Sequence, residues 1–302
     1  MPALALSAPL AMLSSSLLFA LMGVVVKAAS PLYGAGELVM YRSLVGLVVI
    51  AGLMRWRGVS LATPVPAMHA WRSLTGVTAL VLWFHAIGGL PLATATTLNY
   101  MSSVWIALFL IGGAMLVAPG RPAIDGRLVA TVLAGFAGVA LVLRPTMTAE
   151  QAPYGLSGLL SGVLAALAYL QVTALGRAGE PPLRVVFYFS LAGVLAGAAV
   201  TLVAGTWHGH SVRGVAMLLA IGLLAAGGQW MLTRAYSHGA TLGIASLQYL
   251  GVAFAFGFGV WLFDDPVTAG ALLGMALIVG AGVVATQLRD KAQPDAAAAP
   301  DS

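Results

Sequence analysis

Ten stretches of apolar sequence, each long enough to cross a lipid bilayer, constrain this chain more than any other feature. A membrane-spanning helix needs about 20 mostly apolar residues. Windows of that length predict spans at 7–29, 34–54, 67–88, 92–116, 127–144, 155–176, 183–205, 212–236, 242–263 and 266–288. Proline, glycine and charged residues separate the spans, and the connections are short. The predicted fold class is therefore an all-α membrane protein with ten transmembrane helices.

The composition agrees with a lipid environment and excludes several partners. Only 8% of the 302 residues are charged and 60% are hydrophobic, whereas a soluble domain carries roughly 25% charged residues. The expected partner of most of the surface is therefore the lipid bilayer. The net charge of +5 forms no basic stripe, so nucleic acid is not an expected partner. The absence of cysteine excludes disulfides and thiolate metal sites.

The distribution of lysine and arginine predicts the orientation. With the N-terminus inside the cell, ten of these residues, Arg72 among them, lie at cytoplasmic ends of predicted spans. Three lie at the outer ends (Lys27, Arg144 and Arg213), and Arg42 falls within the second span. Because lysine and arginine concentrate in cytoplasmic loops, both termini are predicted to be cytoplasmic in a bacterial inner membrane. Residues 289–302 are predicted to form a disordered tail.

Short sequences recur in the two halves of the chain and keep their order. The matched segments are 41–46 with 188–193, 98–101 with 247–250, and 137–139 with 281–283, at offsets of 147, 149 and 144 residues. The pattern predicts two related five-helix domains, 7–144 and 155–288. Because five is odd, the second half would enter the membrane from the opposite side. Such an inverted repeat is typical of transporters with a substrate site near the midplane.

Several segments resemble the drug/metabolite transporter superfamily, specifically two EamA-type domains, over roughly residues 8–288. The residues that carry the resemblance are Lys27, Arg42, 93–98, 235–240 and the Asp264-Asp265-Pro266 turn. The family more often has glutamate in that turn. It also commonly has a proline where the fourth helix of this chain has Ser102-Ser103, so it stays open whether this helix is kinked there. Asn99-Tyr100 and the intramembrane tryptophans look most like the YddG-type aromatic amino acid exporters. The resemblance implies export of amino acids or other metabolites through a cavity lined mainly by the third, fourth, sixth, eighth and ninth helices.

Polar and aromatic side chains inside the predicted spans are candidates for that cavity, because such groups are costly at membrane depth. Amides and hydroxyls suit the ammonium and carboxylate of a zwitterion. The alternative is that they bond across helices and support packing. The candidate substrate-binding residues are Trp83, His85, Asn99, Tyr100, Ser103, Trp105, Tyr169, Gln229, Trp230, Gln248 and Tyr249.

The tryptophans, His85 and the intramembrane cations also suit structural roles. The three deep tryptophans could stack on an aromatic substrate or pack against lipid and neighbouring helices. His85 could bind substrate or relay protons, or it could be a neutral packed histidine. For Arg42 we favour a structural role, paired with Glu37 or with a carbonyl near the outer interface, over a role as a ligand for a substrate carboxylate. Lys27 is interpreted as an anchor at the outer interface.

The sequence contains no recognisable catalytic or metal-binding cluster, so neither an enzyme, a cofactor nor a metal is expected. No Asp or Glu lies at the centre of a predicted helix, which favours facilitated export over proton coupling. The predicted function is export of aromatic and other apolar amino acids by alternating access. Alternatives are export of other small metabolites or drugs, with proton coupling included, and a channel or a non-transporting receptor or scaffold. The oligomeric state stays open, a monomer included.

Overall fold

The computed structural model describes residues 7–102, 104–106, 108–109, 148–205, 207–238 and 250–290, with single positions between 127 and 141. This part of the chain is helical and contains no strand. The helices are α1 (Ala8–Ala29), α2 (Ala35–Arg57), α3 (Pro66–Gly89), α4 (Leu92–Tyr100), α5 (Ala152–Arg177), α6 (Pro182–Ala204), α7 (Val212–His238), α8 (Leu250–Phe263) and α9 (Ala269–Asp290). A 3-10 turn, Ala149–Gln151, precedes α5.

Five of these helices, namely α1, α2, α5, α6 and α7, are long and apolar enough to cross a membrane. Helix α3 coincides with the predicted span 67–88 but carries more polar residues, including His69 and Arg72. Helices α8 and α9 contain shorter apolar segments. The predicted spans 92–116, 127–144 and 242–263, and the predicted tail, lie wholly or partly outside the described residues.

Local sequence explains where several helices begin and end. Pro66 and Pro182 occupy the first turns of α3 and α6, where a missing N–H costs nothing and the fixed φ suits a helix. Gly58 and Gly205 end α2 and α6 with φ values of +67° and +64°. Glycine adopts this left-handed conformation without a steric penalty, so both helices stop where the next residues must turn back.

Each long helix has a principal partner in the other half of the chain. The most extensive contacts are α1 with α7, α3 with α5, and α2 with α6. Further contacts join α1 with α8, α4 with α5, α4 with α8, α2 with α7 and α3 with α6. The two halves are therefore packed against each other along their length.

Small residues bring α2 and α6 into close contact. A Cβ atom at Gly197 of α6 would lie 2.5 Å from the backbone nitrogen of Met40 and 2.8 Å from the carbonyl oxygen of Gly36. A Cβ at Gly36 would in turn meet Thr201 of α6 at 2.6 Å. Backbones that approach this closely gain dispersion contacts, which are a main source of helix association in lipid.

The fourth helix is interrupted although it has no proline at that point. Helix α4 ends at Tyr100, Met101 forms a turn, and helical backbone resumes at Ser102. The carbonyl of Met101 accepts hydrogen bonds from the N–H groups of Val104 at 2.9 Å and Trp105 at 3.1 Å. The first is a 3-10 bond and the second an α-helical bond, so the ladder changes its spacing here.

We predict that Gly197→Ala lowers the stability of the protein by about 1–3 kcal/mol, because the added methyl group meets backbone atoms that cannot rotate away. The matched control is Gly52→Ala in α2, where a Cβ has no atom within 4 Å. That change is expected to be neutral or slightly stabilising, since alanine favours helix over glycine. Thermal unfolding in detergent measures both, and equal melting temperatures would contradict the proposed packing.

Candidate functional site

A cavity lies between the helices, with about 480 Å³ of empty space that is partly open to solvent. Its lining comes from α1 to α7 and so from both halves of the chain. The lining residues are Phe19, Arg42, Arg72, Gly76, Ala79, Leu80, Trp83, Asn99, Tyr100, Ala165, Ala168, Tyr169, Phe189 and Gln229.

Two buried arginines dominate the electrostatics of this cavity. Arg42 from α2 is 3% exposed and Arg72 from α3 is 2% exposed. Their guanidinium carbons lie 5.5 Å and 4.4 Å from the centroid of the Phe189 ring. The two carbons are therefore at most about 10 Å apart, the sum of these distances. Like charges this close repel each other wherever water does not screen them.

Both arginines are short of hydrogen-bond acceptors. Arg42 Nη2 lies 3.5 Å from Gln229 Oε1, which is long for a hydrogen bond. Arg42 Nε and both Nε and Nη1 of Arg72 are buried without an acceptor. Within the described part of the chain, the four ion pairs all lie elsewhere. A buried guanidinium in this condition carries a desolvation cost that an anionic ligand would offset.

Neutral polar and aromatic groups complete the lining. Asn99 Nδ2 of α4 donates a hydrogen bond to Ser161 Oγ of α5 at 3.0 Å, which fixes the orientation of the amide. The indole Nε1 of Trp83 is buried without an acceptor, and its ring lies 6.5 Å from that of Tyr100. Tyr169 stacks on Tyr236 with ring centroids 5.0 Å apart. The cavity thus offers N–H donors between aromatic walls, an arrangement suited to a ligand rich in acceptors.

Five of the predicted binding residues meet in this cavity: Trp83, Asn99, Tyr100, Tyr169 and Gln229. Their apolar surroundings made them stand out, because polar groups at membrane depth usually face a cavity or a partner. Three others, Ser103, Gln248 and Tyr249, lie outside the described residues.

The remaining three predicted residues lie away from the cavity. His85 is exposed on α3, where it stacks on Tyr154 at 4.6 Å. Trp105 packs beside Phe109. Trp230 lies under the guanidinium of Arg57 at 5.2 Å. The position of a residue along a predicted span does not reveal which side of the helix it occupies. These three residues are not among those that line the cavity.

The favoured pairing of Arg42 with Glu37 is not found. The two residues are five apart, which places them about 140° apart around a helix with 3.6 residues per turn. Glu37 instead accepts hydrogen bonds from the backbone N–H of His208 at 2.9 Å and of Gly34 at 3.2 Å. It also contacts His208 Nδ1 at 2.6 Å. Arg42 instead lines the cavity, and its other predicted role, as a ligand for a substrate carboxylate, stays a prediction.

Arg72 was not predicted to line the cavity, because the charge distribution placed it at the cytoplasmic end of its span. Arg72 is the seventh residue of α3 and lies inside the predicted span 67–88. The signal was available, since an arginine within an apolar span is as unusual as Arg42.

Loops lie at the two opposite ends of the helices that line the cavity. We name face A the loops 30–34, 90–91, 207–211 and 264–268, and face B the loops 58–65 and 178–181. On face A, Lys27 Nζ donates to the carbonyl of Leu90 at 2.9 Å and pairs with Asp265 at 3.5 Å. Asp265 Oδ2 accepts the N–H of Leu92 at 2.8 Å. Lys27 therefore holds three segments together, which is more than the anchor role expected of it.

On face B, the buried carboxylate of Glu180 joins two loops. It accepts hydrogen bonds from Thr63 Oγ1 at 2.8 Å and from Arg184 Nη1 at 3.1 Å. His69 Nε2 lies 3.0 Å from the same carboxylate. Burial by itself would raise the pKa of Glu180, but hydrogen bonds from His69, Thr63 and Arg184 bring that pKa below its ordinary value.

Two related proteins match this chain over nearly its whole length. It is 34% identical to the pseudopaline exporter CntI of Pseudomonas aeruginosa over 281 residues, which cover 91% of this chain and 94% of the relative. It is 26% identical to an uncharacterized transporter of Helicobacter pylori over 280 residues, 90% of this chain and 92% of the relative. The chain belongs to the drug/metabolite transporter superfamily. As a member of this superfamily it is a multi-pass membrane transport protein.

Two further comparisons concern the fold and the domains. A solved structure that is 20% identical has a TM-score of 0.70 and covers 95% of this chain and 99% of its own. At that identity the match shows the fold alone. No family model matches the chain.

We predict that the Glu180 cluster makes the stability of this superfamily member depend on pH. Because the pKa of Glu180 is lowered by folding, its stabilisation is complete above the ordinary carboxyl pKa and is lost as pH falls through the lowered value. Glu180→Gln should lower stability at neutral pH by about 1–3 kcal/mol and flatten the acid dependence. Thermal unfolding from neutral pH to about pH 3 measures this.

The control for this experiment is Glu150→Gln, which changes an exposed carboxylate. It should leave both the neutral stability and the acid profile as in the wild type. An unchanged acid profile for Glu180→Gln would show that Glu180 is not the titrating group.

Proposed function

We propose that this protein is an inner-membrane exporter of amino acids and related small metabolites, and that it works by alternating access through the central cavity. The observation that carries the proposal is a cavity that contains buried polar side chains and whose lining comes from both halves of a membrane transporter. Substrate sites in transporters built from repeats lie where the halves meet.

An inverted arrangement of two five-helix repeats, 7–144 and 155–288, is part of the proposal. If α1–α4 correspond to α5–α8, the contact of α1 with α7 corresponds to that of α5 with α3. The contact of α1 with α8 likewise corresponds to that of α5 with α4, and α2 with α7 to α6 with α3. The pairs α2–α6 and α4–α8 correspond to themselves. A pseudo-twofold relation between the halves accounts for all of these pairs together.

The proposed direction of transport is out of the cytoplasm. The positive-inside rule puts face B and both termini on the cytoplasmic side. The Pseudomonas relative is named as an exporter, and we extend that direction to this chain. Face A would then be the outer gate region, tied by Lys27 and Asp265 in the state described here.

The chemistry of the cavity favours substrates that carry a carboxylate. Guanidinium groups bind carboxylates through paired N–H donors, and the aromatic rings of Trp83, Tyr100 and Tyr169 can hold an apolar part. Aromatic amino acids meet both conditions, as do larger compounds built from amino acids, and the named substrate of the relative, pseudopaline, is one probe to include. Cationic drugs are disfavoured because Arg42 and Arg72 would repel them.

Facilitated transport remains the proposed energetic mode. The described lining of the cavity holds neither a carboxylate nor a histidine. His85, the proposed proton relay of the alternative mechanism, lies outside it. Transport by this account continues without a proton gradient.

We predict saturable flux of at least one carboxylate-bearing amino acid or derivative in proteoliposomes, with and without a pH gradient. Asn99→Ala should reduce that flux about tenfold or more, because it removes a polar contact to a charged ligand. The matched control is Thr78→Ala, which alters an exposed hydroxyl of α3 that bonds only to the carbonyl of Leu74. Its flux should equal that of the wild type.

The alternatives give different results in the same assay. Flux that collapses when an uncoupler is added at clamped membrane potential would indicate proton coupling. Saturable flux of cationic drugs without flux of any carboxylate would indicate a drug exporter. Absence of flux for every compound would contradict transport and favour a receptor or scaffold.

A further inference from the structure

The two arginines of the cavity lie deeper than interface residues do. Arg42 is the eighth residue of α2, counted from face A, and Arg72 is the seventh of α3, counted from face B. At 1.5 Å per residue, their Cα atoms lie about 10 Å and about 9 Å from the helix ends. Both side chains line the cavity. The two positive charges therefore lie in the interior of the helix bundle.

A ligand with one carboxylate would neutralise only one of the two positive charges. The other positive charge would remain buried without a partner, and an uncompensated buried charge is strongly destabilising. Arg72 has two free donors, Nε and Nη1, and Arg42 has a free Nε. Each arginine therefore has at least one N–H donor available to a carboxylate, and such charge-assisted hydrogen bonds are strong.

We infer that the cavity selects dianionic substrates, with one carboxylate bound by Arg42 and a second by Arg72. This selectivity rests on the proposed function and narrows its substrate class. The middle of such a ligand lies beside Phe189, which both guanidinium groups contact. Within the proposed substrates this favours N-acylated dicarboxylates over free amino acids, since a free ammonium group would lie near two positive charges.

The melting temperature of the ligand-free protein distinguishes two roles for the arginines, binding an anionic ligand and supporting the fold. Removing one of two buried like charges relieves repulsion, so Arg42→Gln and Arg72→Gln should each raise the melting temperature without ligand. If either arginine instead supports the fold through its contacts, its removal should lower that temperature. The matched control is Arg213→Gln, which alters an exposed arginine of α7 and should change nothing.

The binding experiment compares compounds that differ by one carboxylate. The pairs are N-acetylglutamate with N-acetylglutamine, and N-succinyl-phenylalanine with N-acetyl-phenylalanine. Thermal shift and calorimetry on the purified full-length protein give the affinities. We expect each dicarboxylate to bind at least tenfold more tightly than its partner, and each arginine variant to reduce that ratio to near one. Inorganic phosphate and sulfate are included as simple dianions.

Several outcomes would overturn the inference. These are equal affinities within the pairs, binding of phosphate or sulfate as tight as that of the dicarboxylates, and no binding of any dicarboxylate at tens of millimolar. Lower ligand-free stability of both arginine variants, with the affinity ratio retained, would also overturn it. Flux assays separate this test from the test of the proposed function. Export of monocarboxylates alone would support transport and contradict selectivity for dianions. Binding of dicarboxylates without flux would support that selectivity and contradict transport.

Discussion

The burial of two positive charges among apolar helices is the constraint on which the rest of this structure depends. Arg42 and Arg72 are nearly inaccessible, both contact the Phe189 ring, and three of their nitrogen atoms lack acceptors. Such groups are tolerated in a membrane protein when they face an aqueous cavity or a ligand. The cost they impose without a ligand becomes binding free energy when an anion arrives. Under the proposed function, the cavity selects its substrate first by charge, and its aromatic walls add a second, weaker selection.

The surrounding fold holds these charges in place from both ends. Small residues such as Gly36 and Gly197 allow α2 and α6 to pack closely, and this contact positions Arg42 and Phe189 relative to each other. Ionic clusters at the two faces then join loops that the helices leave separate, through Lys27 on face A and Glu180 on face B. Alternating access requires that contacts at one face break while packing near the middle persists. The polar ties at the two faces are contacts that can break in this way.

The sequence was sufficient to predict helices and part of the cavity lining, because both depend on local chemistry. Apolar runs between prolines and glycines predicted α1, α2, α5, α6 and α7, and polar groups at depth identified Asn99 and Gln229. Sequence was insufficient where the answer depended on the side of a helix. Arg42 was predicted to pair with Glu37 or with a carbonyl near the outer interface, but about 140° of helix rotation separates it from Glu37. His85 faces outward. Arg72 was missed because the positive-inside rule counts charges near span ends without asking how deep they lie.

The central claim, that substrate crosses the membrane as an anion bound by Arg42 and Arg72, is tested most directly by charge movement. Wild-type proteoliposomes on a solid-supported electrode would receive a rapid step of N-succinyl-phenylalanine, followed by N-acetyl-phenylalanine at the same concentration. The account predicts a transient current with the sign of negative charge entering the vesicles, larger for the dicarboxylate and absent for Arg72→Gln. A current of the opposite sign, or one that Arg72→Gln leaves unchanged, would contradict it.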